Sequence, residues 1–281
     1  MNLIRIVPLL SLLATLLTGA AQAEEKIYSF GVLNQRSVML TAQYWNPILK
    51  YVSDKSGVHL QLKMGKTAPE TSAMIGRSEF DFVYSNTIFT PANSPAGYRV
   101  IARPIERAIQ GQIVTLDDSP VHALNDLEGK EVGFPSLAAF VGYAVPMNGL
   151  LQSGINVKPV FAGNQEGIMG QLKAGRVIAA GVNSEVMHDF AQREHIKYRV
   201  LWASEGYLNL PVSAHPSVPM EKVAAVKAAL VNMAKDPDGL KVLDASAALI
   251  KQAPPLGFVP AEDREYDNYR HYYKTTQVKG L

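Results

Sequence analysis

One arrangement occurs twice in this chain, and it restricts the fold more than any single motif. Ala68-Pro69-Glu70-Thr71-Ser72-Ala73-Met74-Ile75-Gly76-Arg77 reads as a short helix with proline in its first turn and glycine at its end. Phe80-Asp81-Phe82-Val83-Tyr84 follows, an aromatic and β-branched run that favours a strand. Ser85 and Asn86 then supply N-cap chemistry for a helix beginning near Thr87. Far along the chain the plan returns. Asn164 to Arg176 is a second helical stretch ending in Gly175-Arg176, Val177 to Val182 is a buried strand, and Asn183-Ser184-Glu185 is a polar helix start. Two such units so far apart describe two α/β lobes, not a solenoid. A strand that hands over to a helix leaves backbone N–H groups at the junction, and in open α/β sheets that junction faces a ligand crevice. Two lobes set their junctions face to face, so a cleft holding both Tyr84 and Asn183 is expected.

The remaining segments fit between these units. Lys26 to Leu33 alternates as a first strand, and Asn34-Gln35-Arg36-Ser37 is a polar loop. Thr41 to Ser53 has the period of an amphipathic helix, with Pro47 expected to kink it or begin its main part. Val58–Met64, Tyr98–Arg103, Gln110–Leu116, Glu131–Phe134, Val157–Phe161, Tyr198–Ala203 and Leu208–His215 read as strands. Phe140–Ser153, Glu185–Glu194, Met220–Lys235 and Ala261–Lys274 read as helices, with another turn or two of helix within Asp236–Ser246. Alternation of strands and helices predicts mostly parallel sheets. Two passages of the chain between the lobes, near Gln110–Leu116 and Leu208–His215, make the first lobe discontinuous. The expected division is 24–112 with 212–281 for lobe 1, and 113–211 for lobe 2. Tyr266, Tyr269, Tyr272 and Tyr273 share one helical face, and that stripe reads as packing.

The N-terminus sets the compartment. Arg5 precedes the apolar run Ile6–Leu17, and Ala21-Gln22-Ala23 is a small-x-small cleavage site. Residues 1–23 therefore read as a cleaved secretory signal peptide, and the protein is expected in the periplasm. No lipobox cysteine is present, which excludes lipoprotein anchoring. The chain has 0 cysteines, so disulfides and thiolate chemistry are excluded. A formal net charge of +2 with scattered basic residues gives no nucleic-acid footprint. The six histidines show no metal-ligand spacing, and no nucleophile elbow, phosphate loop or dinucleotide fingerprint occurs. The reading is a non-enzyme without cofactor, metal or catalytic residues.

Several phrases, in order, resemble the periplasmic phosphate, phosphite and phosphonate-binding proteins of ABC importers, which are type II solute-binding proteins. They are Phe30-Gly31-Val32, Tyr44-Trp45-Asn46-Pro47-Ile48-Leu49-Lys50-Tyr51-Val52 and Glu79-Phe80-Asp81-Phe82-Val83 in the first half. In the second half they are Leu124 to Phe134, Gly142-Tyr143-Ala144-Val145-Pro146 and Leu172-Lys173-Ala174-Gly175-Arg176-Val177. The resemblance spans roughly residues 26–235 and implies an α/β, two-lobe periplasmic binding protein type II fold with a hinge of two crossing strands. It also implies an anion pocket built from an aromatic-bearing helix (Tyr44), a loop after the third strand (Tyr84, Ser85, Asn86, Thr87), and a run of Ser/Thr hydroxyls before Gly142-Tyr143.

That hydroxyl run is replaced here by Ala138, Ala139, Phe140 and Val141, leaving Ser136 nearby. Gln165 stands where the family tends to carry histidine, and Asn183 or Ser184 where an acid contacts the ligand. A phosphonate buried with few donors loses several kcal/mol of hydrogen bonding, roughly. Tyr44, Tyr84, Phe140 and Tyr143 suggest a more aromatic cleft, with Asn34, Gln35, Asn86, Gln165, Asn183 and Ser184 as neutral hydrogen-bonding groups. Arg36 is either the anchor of a carboxylate or other anion, or a solvated loop arginine. The candidate ligand residues are thus Arg36, Tyr44, Tyr84, Ser85, Asn86, Thr87, Ser136, Phe140, Gln165, Asn183 and Ser184. The expected function is capture of a small anionic or zwitterionic ligand by a monomer that delivers it to an inner-membrane ABC permease. The alternative is a ligand-binding partner of a sensor histidine kinase ectodomain.

Overall fold

A computed structural model describes residues 26–105 and 108–280; the expected signal peptide, residues 1–23, lies outside the described residues. The chain opens with β1 (Tyr28–Val32) and α1 (Val38–Ser56). α1 begins at Ser37, whose hydroxyl accepts the Leu40 N–H, and ends at Gly57 in the left-handed conformation that glycine tolerates. It starts three residues earlier than expected and runs through Pro47 without a break. The proline removes one helix hydrogen bond, but Trp45, Ile48, Leu49 and Val52 are buried on either side of it and hold the helix to the sheet. β2 (Leu60–Lys63), α2 (Ala68–Gly76) and β3 (Phe82–Tyr84) follow.

After β3 the expected helix is a single 3₁₀ turn, Thr87–Phe89, and Asn86 makes no side-chain cap. The Ser85 hydroxyl accepts the Thr87 N–H instead, at 3.1 Å. Pro91 and Pro95 come too soon for a longer helix, because the residue before a proline is driven out of the helical region.

β4 (Arg99–Pro104) closes this half. The chain then passes over and forms β5 (Gly111–Leu116), β6 (Glu131–Phe134), a π-helical turn at Phe140–Ala144, and α3 (Val145–Gln152). Next come β7 (Lys158–Phe161), α4 (Gln165–Lys173), β8 (Ala180–Asn183), α5 (Ser184–Glu194) and β9 (Tyr198–Ala203). It returns for β10 (Val212–Ala214), α6 (Met220–Asn232), α7 (Pro237–Ile250), β11 (Phe258–Pro260) and α8 (Asp267–Thr275). α7 is longer than expected, capped by the Asp236 carboxylate on the Asp238 N–H. β11 gives no periodic signal, being three residues after a Pro- and Gly-rich loop. No described helix is long and apolar enough to cross a membrane.

Two sheets result, in the orders β11-β4-β10-β3-β1-β2 and β7-β6-β8-β5-β9. They are mixed, which corrects the expectation of mostly parallel sheets. β1 pairs parallel with β2 and β3, and β6 with β7 and β8, but β10 and β5 enter antiparallel to β3 and β8. The strand that follows each crossing, β5 and then β10, runs against the βαβ unit it joins. The crossings themselves are zipped together: Ile109 and Tyr207 exchange both backbone hydrogen bonds, each 2.7 Å.

One apolar cluster lies against the first sheet, around Phe30, Trp45, Phe82 and Leu230. Two lie against the second, around Ile168 and Phe190 and around Phe134 and Leu150. A fourth draws on both halves and the crossings: Phe89, Ile109, Phe140 and Tyr207 with Tyr266, Tyr269 and Tyr272. The tyrosine stripe is packing, as expected, with Tyr266 and Tyr269 fully buried. Its hydroxyls also donate, Tyr266 to Asn209 O, Tyr269 to Leu208 O and Tyr272 to Ala144 O. Beyond α8, Thr276 and Gln277 bond the Asn148 side chain and Val278 is buried beside the second sheet.

Gly181 in β8 is where the second sheet meets the π-helical turn. A Cβ there would stand 2.6 Å from the Gly142 carbonyl oxygen, a backbone atom that cannot rotate away. Gly181→Ala should cost about 1–3 kcal/mol by overpacking. Urea unfolding should show a lower midpoint with an unchanged slope; an unchanged midpoint would refute the close approach.

Candidate functional site

Both halves turn the ends of their parallel strands toward one another, and a cavity of about 600 Å³ lies there. β1 and the loop after it contribute Val32, Gln35 and Arg36, α1 contributes Tyr44 and Trp45, and β3 contributes Tyr84. From the other half come Ser184, Glu185, His188 and Asp189 of α5 and Tyr198 of β9. The crossing supplies Gln110, and the loop after α7 supplies Gln252. The Tyr44 hydroxyl donates to Gln252 Oε1 at 3.0 Å.

A second hollow of about 20 Å³ has Leu33 and Gln35 in common with the first. Its walls include Asn86, Ser136, Phe140, Gln165 and Asn183. The candidate residues therefore divide. Arg36, Tyr44, Tyr84 and Ser184 line the large cavity; Asn86, Ser136, Phe140, Gln165 and Asn183 line the small one. Ser85 and Thr87 line neither, being fully buried and bonded to each other through their hydroxyls at 2.9 Å. Tyr84 and Asn183 thus open on different hollows. Tyr143 sits in the core beside the second sheet, and Asn34 is taken up by Gly65 O and Thr71.

The strand-to-helix junctions do face one another, through Asn86 and Asn183. Asn183 caps α5, its Oδ1 accepting from Glu185 and Val186 N–H. Its backbone N–H donates to Gln165 Oε1 at 3.2 Å. Asn86 bonds the Tyr269 hydroxyl. This leaves Asn86 Oδ1, Ser136 Oγ and Asn183 Nδ2 without a hydrogen-bond partner among the described residues, in residues at most 3% exposed. Buried unpaired polar atoms cost about 1–3 kcal/mol each, and a space of this size suits a single water. Ser184 is engaged elsewhere: its hydroxyl accepts the Gln110 N–H and its N–H donates to Gln110 O.

α5 also brings in charged groups that no family-matched position marks. Glu185 and Asp189 are four residues apart on one helical face, and that spacing behind a cleft-facing N-cap was the available signal. Asp189 faces Arg36 across the halves, Oδ2 to Nη2 at 3.8 Å, with side chains 10% and 16% exposed. The halves also meet where Glu166 N–H donates to Gln35 O at 3.2 Å. Burial lifts the Asp189 carboxyl from 3.8 to about 6; Arg36 and His188 oppose the rise and Glu185 adds to it.

Two α/β halves, joined by paired crossings around a polar cavity at their strand ends, have the two-lobed fold of the type II periplasmic binding proteins. Residues 30–266 match the family of ABC transporter, phosphonate, periplasmic substrate-binding proteins, and the chain belongs to that family. Among solved structures, a binding protein component of an ABC phosphonate transporter from Pseudomonas aeruginosa is similar at TM-score 0.76 and 16% identity, covering 89% of this chain and 86% of its own. PhnD1 from Prochlorococcus marinus, in complex with methylphosphonate, is similar at TM-score 0.72 and 16% identity, covering 89% and 98%. An arginine-specific periplasmic binding protein of Salmonella typhimurium follows at 0.55 and 14%, covering 78% and 98%. No curated protein matches the chain. At these identities the likenesses carry the fold alone.

The Asp189 carboxyl gives a pH test. Its folded-state pKa lies above its ordinary value, so between these two values the folded chain binds more protons than the unfolded one. Stability from this group therefore grows as pH falls through about 6 and is complete below about 4. Asp189→Asn should raise the melting temperature of the ligand-free protein by a few degrees at pH 8, and the difference should close by pH 4. A difference that is constant over this range would mean that Asp189 does not titrate as described.

Proposed function

We propose that this chain is the solute-binding component of an ABC importer, capturing one small anionic or zwitterionic molecule between its lobes and passing it unaltered to an inner-membrane permease. It acts in the periplasm as a monomer. The observation that carries this reading is the 600 Å³ cavity walled by charged and aromatic side chains of both lobes. Its volume is in the range of small-molecule sites, and walls from two hinged bodies couple occupancy to closure. The neighbours named above bind a phosphonate and an amino acid, both small and charged. The candidate ligand residues of the large cavity, Arg36, Tyr44, Tyr84 and Ser184, serve the guest directly, Ser184 through the hydroxyl proton that its bond from Gln110 N–H leaves unused. Asn86, Ser136, Phe140, Gln165 and Asn183 border it through the small hollow, and Ser85 and Thr87 shape the loop behind.

Departure from the phosphonate pattern supports a different guest. Where that pattern has hydroxyls, this chain has Ala138, Ala139, Phe140 and Val141. Native mass spectrometry of protein taken from the periplasm without refolding should show one retained small molecule per chain. X-ray scattering should show contraction when that molecule is returned to stripped protein. Crosslinking to membranes in the loaded state should recover an ABC permease. Capture of a histidine kinase ectodomain in its place, or a ligand that leaves the scattering curve unchanged, would overturn the reading.

A further inference from the structure

We infer that the guest is a small zwitterion, an amino-carboxylic acid with an apolar body, whose carboxylate takes Arg36 and whose ammonium takes Asp189. This rests on the reading that the large cavity is the binding site. Arg36 leaves the first lobe just after β1, and Asp189 stands in the second turn of α5 on the other lobe. At 3.8 Å their charged atoms attract but are beyond hydrogen-bond range. Neither side chain makes a hydrogen bond to another described residue. A guanidinium carries five N–H donors and a carboxylate accepts about four bonds, so both have unmet capacity in a place largely withdrawn from water. A buried ion pair is favourable only when its remaining donors and acceptors are satisfied. A guest that inserts one charge of each sign completes both.

The cavity's charge balance points the same way. Among the described residues of the wall, Glu185 and Asp189 oppose one guanidinium, Arg36, with His188 beside them. A guest bearing only negative charge would meet two carboxylates; one bearing only positive charge would leave Arg36 without a bidentate partner. A carboxylate has two oxygens, and one guanidinium fork serves both. A phosphonate has three and a second charge, and among the described residues of the wall Arg36 is the one guanidinium or lysine that could meet it. Tyr44, Trp45 and Tyr84 give the wall an aromatic part that suits an apolar body, beside neutral amides such as Gln110 and Gln112. The raised Asp189 carboxyl agrees, since a buried acid without donors gains most from an arriving ammonium.

The test is calorimetry on the mature chain with the apolar and aromatic amino acids, their deaminated and decarboxylated analogues, and methylphosphonate. Trp45 emission is followed in a Trp202→Phe background to report entry into the cavity. An amino acid should bind, and both analogues and methylphosphonate should bind at least about tenfold more weakly. Asp189→Asn should abolish the preference over the deaminated analogue, and Arg36→Gln that over the decarboxylated one. Binding near pH 6 should release a proton, seen as a heat that varies with the buffer, as Asp189 ionises among Arg36, Glu185 and His188. Methylphosphonate binding that shifts Trp45 emission but ignores both variants would overturn this inference alone. Binding of any probe that leaves Trp45 emission unchanged would overturn the placement of the site as well. No binding by any amino acid would also overturn the inference.

Discussion

The two backbone hydrogen bonds between Ile109 and Tyr207 tie the crossings together, and the cleft depends on them. A chain that passes once between two sheets leaves them free to swivel in any direction. Passing twice, with the passages paired, leaves one soft direction: opening and closing about the pair. Tyr266 and Tyr269 reinforce this by packing over the crossing and bonding the carbonyls of Asn209 and Leu208. Phe140 is stacked on the same cluster, within 4.3 Å of Tyr269 centroid to centroid. The wall of the small hollow is thereby built on the hinge itself.

Around that hinge the cleft keeps polar capacity that the protein does not use internally. Asn86 Oδ1, Ser136 Oγ and Asn183 Nδ2 lack partners among the described residues, and the Arg36–Asp189 pair is held short of hydrogen bonding. Elsewhere most such groups are matched, Ser213 Oγ and Ser246 Oγ aside: Asn34 meets Gly65 and Thr71, and Asp81 takes the Ser29 backbone and hydroxyl. Unmet capacity is concentrated where the lobes face each other, which is what a receptor for a charged guest requires.

The sequence made the architecture legible because its evidence is periodic and local. Helix starts at Thr67, Asn164 and Asn183 carry their caps in residue type, and the doubled unit revealed two lobes. Strand direction was less legible: β5 and β10 are antiparallel because of where the chain goes between lobes, which no local run encodes. The turn after β3 failed as a helix because Pro91 outweighed Asn86. For the site, matching positions to a family pattern found the border of the small hollow. It missed Asp189, whose importance comes from Arg36, a residue far away in sequence and brought near only by folding.

The tail after α8 has a further consequence. Val278 shares a core with Ile113, Leu127 and Leu150, and Phe258 shares one with Phe30 and Trp45. Residues made first therefore wait for residues made last. During synthesis neither half can finish its interior until nearly the entire polypeptide has left the ribosome.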